Sequence, residues 1–119
     1  MGRPKILVVE DNTDIRRLYA IGLNQRGFEV KLAANGAEAV TRVEDERPDM
    51  ILLDLFMPVM SGWDVLDKIN PPESVAPVPI IIVSGATSER TAPSCVRAWL
   101  AKPVTIDDLV RTINDQLEP

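Results

Sequence analysis

The chain has no histidine and one cysteine, and its only aromatic residues are two Trp, two Phe and one Tyr. Without histidine it can form neither a Ser-His-Asp nor a Cys-His nucleophile pair. Histidine-ligated zinc and haem are excluded for the same reason. The solitary Cys95 allows no internal disulfide and no cysteine-rich metal site, which points to a reducing compartment. Positive charge is also scarce: 13 Lys and Arg stand against 18 Asp and Glu, a net charge of −5. That balance disfavours nucleic acid and anionic membrane as direct partners. No run of about 20 apolar residues is present, and no basic-then-apolar leader opens the chain. The expectation is a cytoplasmic protein. With 119 residues, 45% hydrophobic and 26% charged, residues 1–119 read as one globular domain. A chain of this length buries about two-thirds of its surface.

Short apolar runs alternate with longer amphipathic ones. Strands are expected at 5–9 (KILVV), 28–34, 50–53 (MILL), 79–83 (PIIIV) and 99–101. Helices are expected at 14–26, 36–46, 61–69 and 105–117. In the first helix Ile15, Leu18, Ile21 and Leu23 form the inward stripe, and Gly27 suits the position just past its end. In the second, Ala37, Val40 and Val43 face inward. In the last, Ile106, Leu109, Val110, Ile113 and Leu117 do. Strand–helix alternation implies parallel βα units, and unalternating apolar strands imply a sheet covered on both faces. Right-handed crossovers then give a doubly wound α/β fold.

Such a sheet binds its ligand beyond the carboxyl ends of the strands. The polar residues there are Glu10 and Asp11, then Asp54, then Ser84, then Lys102. Each alone reads as a turn, a cap or a solvated loop residue. Together they make a site. Three carboxylates form a hard, oxygen-rich pocket suited to Mg²⁺, and their repulsion calls for that cation or the lysine. A hydroxyl and an ammonium can bind phosphoryl oxygens. One carboxylate can act as the nucleophile and become an aspartyl phosphate.

These pieces carry a resemblance: ILVVEDN at the first strand, ILLDLFMPVMSGWDVL around Asp54, PIIIVSGAT at Ser84 and WLAKP at Lys102. The chain resembles the receiver domain of bacterial two-component response regulators, the family that includes the chemotaxis regulators. The resemblance runs from Lys5 to Leu117. It implies a flavodoxin-like five-stranded sheet in the order 2-1-3-4-5, with helices on both faces. It implies that Asp54 accepts phosphate from a phosphohistidine on a sensor kinase or histidine phosphotransfer protein, which supplies the imidazole this chain lacks. It implies Mg²⁺ held by Asp11, Asp54 and the backbone carbonyl of Phe56, with Glu10 acting through water. Ser84 and Lys102 would contact the phosphoryl oxygens. Trp99 would be the switch aromatic, and the Lys102–Pro103 peptide would be cis. The family signals by switching its contacts with a downstream protein and is not an enzyme beyond its own phosphotransfer and dephosphorylation.

One stretch departs from the family. Ser84 to Lys102 spans about one helical turn less than usual and contains Pro93, with Ser94-Cys95-Val96 in place of the small-residue turn. Proline inside a helix costs about 3 kcal/mol, so the helix between the fourth and fifth strands is expected to be short or irregular. Trp63 at a helix start reads as packing, and Cys95 as a bystander. The alternative function is a receiver-like interaction module that works without phosphorylation. An aspartate-nucleophile phosphatase would need an acid where Phe56 stands. A flavin binder would need a phosphate loop where Glu10 and Asp11 stand. Because the chain ends with its last helix, a single-domain regulator, or a receiver excised from a larger protein, is expected.

Overall fold

In a computed structural model, residues 2–69, 77–85 and 92–117 are described. The elements are β1 (Lys5–Val9), α1 (Thr13–Gln25), β2 (Glu29–Ala33), α2 (Gly36–Asp45), β3 (Met50–Leu53), α3 (Gly62–Ile69), β4 (Ile80–Ser84), β5 (Val96–Ala101) and α4 (Ile106–Leu117). The five strands form one parallel sheet in the order β2-β1-β3-β4-β5, the order that the family resemblance implies.

Successive side chains on each strand point to opposite faces, and this divides the core into two layers. Leu7, Val9, Ile51, Leu53, Ile80 and Ile82 pack beneath α2 and α3 with Ala39, Val65 and Leu66. Ile6, Val8, Met50, Leu52, Ile81 and Val83 pack beneath α1 and α4 with Tyr19, Leu23, Leu109 and Ile113. With both faces covered, β3 and β4 carry no polar side chain before their carboxyl ends, and β1 carries only Lys5 at its half-buried start, as a buried parallel sheet requires.

The helices are opened by local chemistry. Asn12 Oδ1 accepts from Ile15 N–H at 2.9 Å, and Asn35 Oδ1 accepts from Glu38 N–H at 2.8 Å. Thr105 Oγ1 caps α4 by accepting from Asp108 N–H at 3.0 Å. Past α1, Gly27 takes φ 96, the left-handed turn expected there.

Two helix faces differ from the expected ones. On α1, Leu18 and Ile21 are 58% and 59% exposed, whereas Tyr19 and Leu23 are buried. The stripe that meets the sheet is Ile15, Tyr19 and Leu23, spaced by four, which leaves Leu18 and Ile21 on its flanks. On α2, Ala37 is exposed and Ala39 is the buried alanine, with Val40 and Val43 half-buried.

The link from β4 to β5 also differs from the expected one. Its described residues, 85 and 92–95, form no helix. Positions 86–91, and with them the rest of the helix expected between these strands, lie outside the described residues. β5 begins at Val96, three residues earlier than expected, because a turn from Pro93 O to Val96 N–H (3.0 Å) leads straight into it. Arg97 is an extra residue in this strand: the register passes from Ile80↔Val96 to Ile81↔Ala98.

Candidate functional site

The sheet's hydrogen bonding continues one residue past the strand ends and carries the polar residues into place. Glu10 N–H donates to Ala33 O (3.1 Å), Asp54 N–H to Val9 O (3.1 Å) and Lys102 N–H to Ser84 O (2.9 Å). Alternation does the rest. Glu10 follows Ile6 and Val8, Asp54 follows Met50 and Leu52, and Lys102 follows Ala98 and Leu100, so all three belong to the α1/α4 side. Ser84 follows Ile80 and Ile82 and belongs, with Trp99, to the α2/α3 side.

Lys102 Nζ donates to Glu10 Oε1 at 2.5 Å and to Asp54 Oδ2 at 3.3 Å. Asp54 Oδ1 accepts from Phe56 N–H at 3.1 Å. Glu10 and Asp54 are buried, Lys102 is half-buried and Asp11 is exposed. Carboxylate oxygens of Glu10, Asp11 and Asp54 lie within 4.8 Å of one another. Burial pushes the Glu10 carboxyl up to about 7; Asp54 adds to the shift and Lys102 opposes it. Burial alone would lower the Lys102 ammonium, but Glu10 and Asp54 hold it above its ordinary value. One ammonium cannot offset three clustered carboxyls. Glu10 Oε2 is buried without a hydrogen-bond partner, which is costly unless a cation or water completes it. The donor set of hard oxygens beside an open rim fits Mg²⁺.

The surrounding residues hold this arrangement. Arg16 Nη1 donates to Glu10 O at 2.9 Å and braces the turn after β1. Tyr19 closes the inner side, where a cavity of about 10 Å³ is lined by Glu10, Asp54, Val8, Leu52 and Val83. Gly62 approaches the Asp54 backbone so closely that a Cβ there would sit 2.6 Å from the Asp54 carbonyl oxygen. The Lys102–Pro103 peptide is cis. On the rim the Phe56 side chain is half exposed. Val59 is fully exposed at φ 70, in a tight turn closed by Met60 N–H to Pro58 O at 2.8 Å. The structure therefore brings Glu10, Asp11, Asp54 and Lys102 together, with Ser84 adjoining at the end of β4. Trp99, half-buried and three residues before Lys102, lies against Trp63. Sequence reasoning missed Arg16, Tyr19 and the Trp63 contact. Arg16 was findable, one helical turn after the cap Asn12 and so beneath the acid pair.

The response regulator receiver domain family matches residues 6–114. The chain belongs to that family. The receiver is 31% identical over 115 residues to Protein PilH of Pseudomonas aeruginosa, covering 92% of this chain and 94% of that one. It is 34% identical to the Transcriptional regulatory protein PrrA of Mycobacterium tuberculosis, over 92% of this chain but 48% of the relative. The chain thus spans about half the length of the transcriptional regulators that it matches. Among solved structures, the chemotaxis response regulator CheY4 of Vibrio cholerae superposes with a TM-score of 0.86 at 28% identity, over 98% of this chain and 100% of that one. Receiver domains are signalling proteins of two-component systems rather than enzymes in the ordinary sense. No helix among the described residues is long and apolar enough to cross a membrane.

Proposed function

We propose that this receiver is the phospho-accepting switch of a two-component phosphorelay, taking a phosphoryl group onto Asp54 from a phosphohistidine on a sensor kinase or histidine phosphotransfer protein. The observation that carries this reading is the convergence of Lys102 Nζ on Asp54 Oδ2 (3.3 Å) and Glu10 Oε1 (2.5 Å) at the carboxyl ends of three strands. An Asp54 carboxylate oxygen attacks phosphorus in line with the P–N bond. That bond breaks as the P–O bond forms, and the imidazole leaves with the electron pair and takes up a proton. In this reading Lys102 stabilises charge on the phosphoryl oxygens, and the Ser84 hydroxyl donates to one of them. Glu10, Asp11 and Asp54, with the Phe56 carbonyl, would hold Mg²⁺; when bound, the cation offsets charge shared between the carboxylate and the phosphoryl group.

An open cleft of about 580 Å³, lined by Asn35, Pro58, Val59 and Met60, reaches the acid cluster at Asp11. The whole of 1–119 serves as one receiver in this reading, working in the cytoplasm, and the downstream partner is a protein whose contacts change with phosphorylation. Intact-mass measurement after incubation with Mg²⁺ and acetyl phosphate tests it. Wild type should gain one phosphoryl group and Asp54→Asn none. Equal uptake by the two would overturn Asp54 as the acceptor, and uptake by neither would instead favour a module that works unphosphorylated.

A further inference from the structure

Two lines of contact leave Asp54 and meet again at a pair of tryptophans. The first is backbone. Gly62 N–H donates to Leu55 O at 2.9 Å, and a Cβ on Gly62 would lie 2.6 Å from Asp54 O and 2.7 Å from Leu55 Cα. The start of α3 is therefore seated on the acceptor's own peptide, at a distance only glycine permits. The next residue is Trp63. The second line runs through a side chain. Asp54 Oδ2 accepts from Lys102 Nζ at 3.3 Å, Lys102 N–H donates to Ser84 O at 2.9 Å, and the same strand carries Trp99 opposite Ile82. The Trp63 and Trp99 ring centroids are 6.2 Å apart with planes inclined at 55°, a tilted contact within the attractive range for aromatic pairs. Both rings are half-buried against the layer that holds Leu53 and Ile82.

We propose that Trp63 and Trp99 act as one packing unit through which loading of Asp54 reaches the surface between α3 and β5. The proposal rests on the phospho-acceptor reading above. A group bonded to Asp54 must share or displace the Lys102 ammonium, which acts on the end of β5. The Asp54 peptide meanwhile stays clamped to Gly62, which fixes the start of α3. The two elements are thus driven relative to each other at the rings. Packed contacts of this kind hold or break rather than stretch. Trp63 becomes a relay residue, and α3 joins β5 in presenting the signal.

Two indoles this close couple their ultraviolet transitions and give paired bands of opposite sign in circular dichroism, which a lone indole does not. Wild-type protein should show this couplet, and Trp63→Phe and Trp99→Phe should each lose it. On adding Mg²⁺ and beryllofluoride, a phosphoryl mimic, its amplitude should change by about twofold or more as the two-state packing shifts. The change should saturate together with the bound-fluoride signal in fluorine NMR. Bound fluoride with an unchanged couplet overturns the relay while leaving the acceptor site intact. Absence of both bound fluoride and phosphoryl uptake would overturn the acceptor reading, and the relay with it. A second comparison uses Trp99 emission. Trp63→Phe keeps an aromatic contact and should keep the loading-dependent shift, whereas Trp63→Leu should lose most of it. Equal shifts in the two variants would also overturn the proposal.

Discussion

The two sides of the sheet are built by different means. On the α1/α4 side, Glu10, Asp54 and Lys102 meet because each extends its strand by one ladder hydrogen bond and has the same place in the alternation. On the α2/α3 side, Trp63 and Trp99 meet because a helix seated on Gly62 packs across to an edge strand 36 positions further along the chain. The first arrangement is set by strand ends and a polar residue after each. The second is set by tertiary packing. The two sides are therefore expected to separate in one direction: substitutions at the tryptophans should alter the response to loading and leave phosphoryl uptake alone, whereas substitutions at the acids or Lys102 should impair both.

The largest expected effect breaks the chemical side. Lys102→Met removes the cation shared by Glu10 and Asp54, and phosphorylation from acetyl phosphate should slow by about 10²-fold or more, as when an oxyanion donor is lost. Asp11→Asn should slow it sharply, and chelation of divalent metal should abolish it. The tryptophan variants should leave uptake close to wild type, as mass measurements over time would show. If Trp63→Phe slows uptake as much as Lys102→Met, the two sides are not separable.

The next effect concerns α1. Leu23 is fully buried, and Leu23→Ala should cost about 2–5 kcal/mol in denaturant unfolding. Leu18→Gln lies on the exposed flank of the same helix and should cost less than about 0.5 kcal/mol. Comparable losses would restore the stripe that periodicity alone suggests.

The third follows from Glu10. Its carboxyl is raised from 4.5 to about 7, so protons compete with a cation for it. Apparent Mg²⁺ affinity should weaken by about tenfold per pH unit below that value and level off above it, as titration at several pH values would reveal. In metal-free protein the sign is opposite. The folded state holds a proton that the unfolded chain has released, so stability from this group falls as pH rises from 4.5 to about 7. Urea midpoints across that range, with and without Mg²⁺, should diverge.

The smallest effect sharpens the picture of the rim. Val59 is β-branched, exposed and at φ 70, where glycine carries no penalty. Val59→Gly should raise stability by about 1 kcal/mol despite the extra freedom of the unfolded chain. A loss of stability in thermal unfolding would mean that the valine makes a contact outweighing its strain.

Much of this was legible in the sequence, for reasons that differ by residue. Lys5–Val9, Met50–Leu53 and Ile80–Ser84 read as buried strands because a sheet covered on both faces leaves no room for polar residues until the strand ends. That is why Glu10, Asp54 and Ser84 stood out. Lys102 was marked by its place directly after the fifth strand. What escaped was whatever depended on phase or distance. Tyr19 looked like one polar-tipped aromatic among apolar neighbours, yet an angular step of one residue decides that it faces the sheet while Leu18 does not. Val96–Ala98 did not read as strand because Arg97 interrupts the apolar run, and a bulge absorbs it. Trp63 and Trp99 carry no local signal of each other.

The central claim is that Asp54, and no other side chain, accepts the phosphoryl group. Borohydride reduces an aspartyl phosphate to homoserine, so peptide mass spectrometry after loading with Mg²⁺ and acetyl phosphate locates the modified residue directly. The account predicts homoserine at position 54 alone, absent when metal is chelated. Homoserine at Asp11 or any other aspartate, or modification of Asp54 that persists in excess chelator, would contradict it.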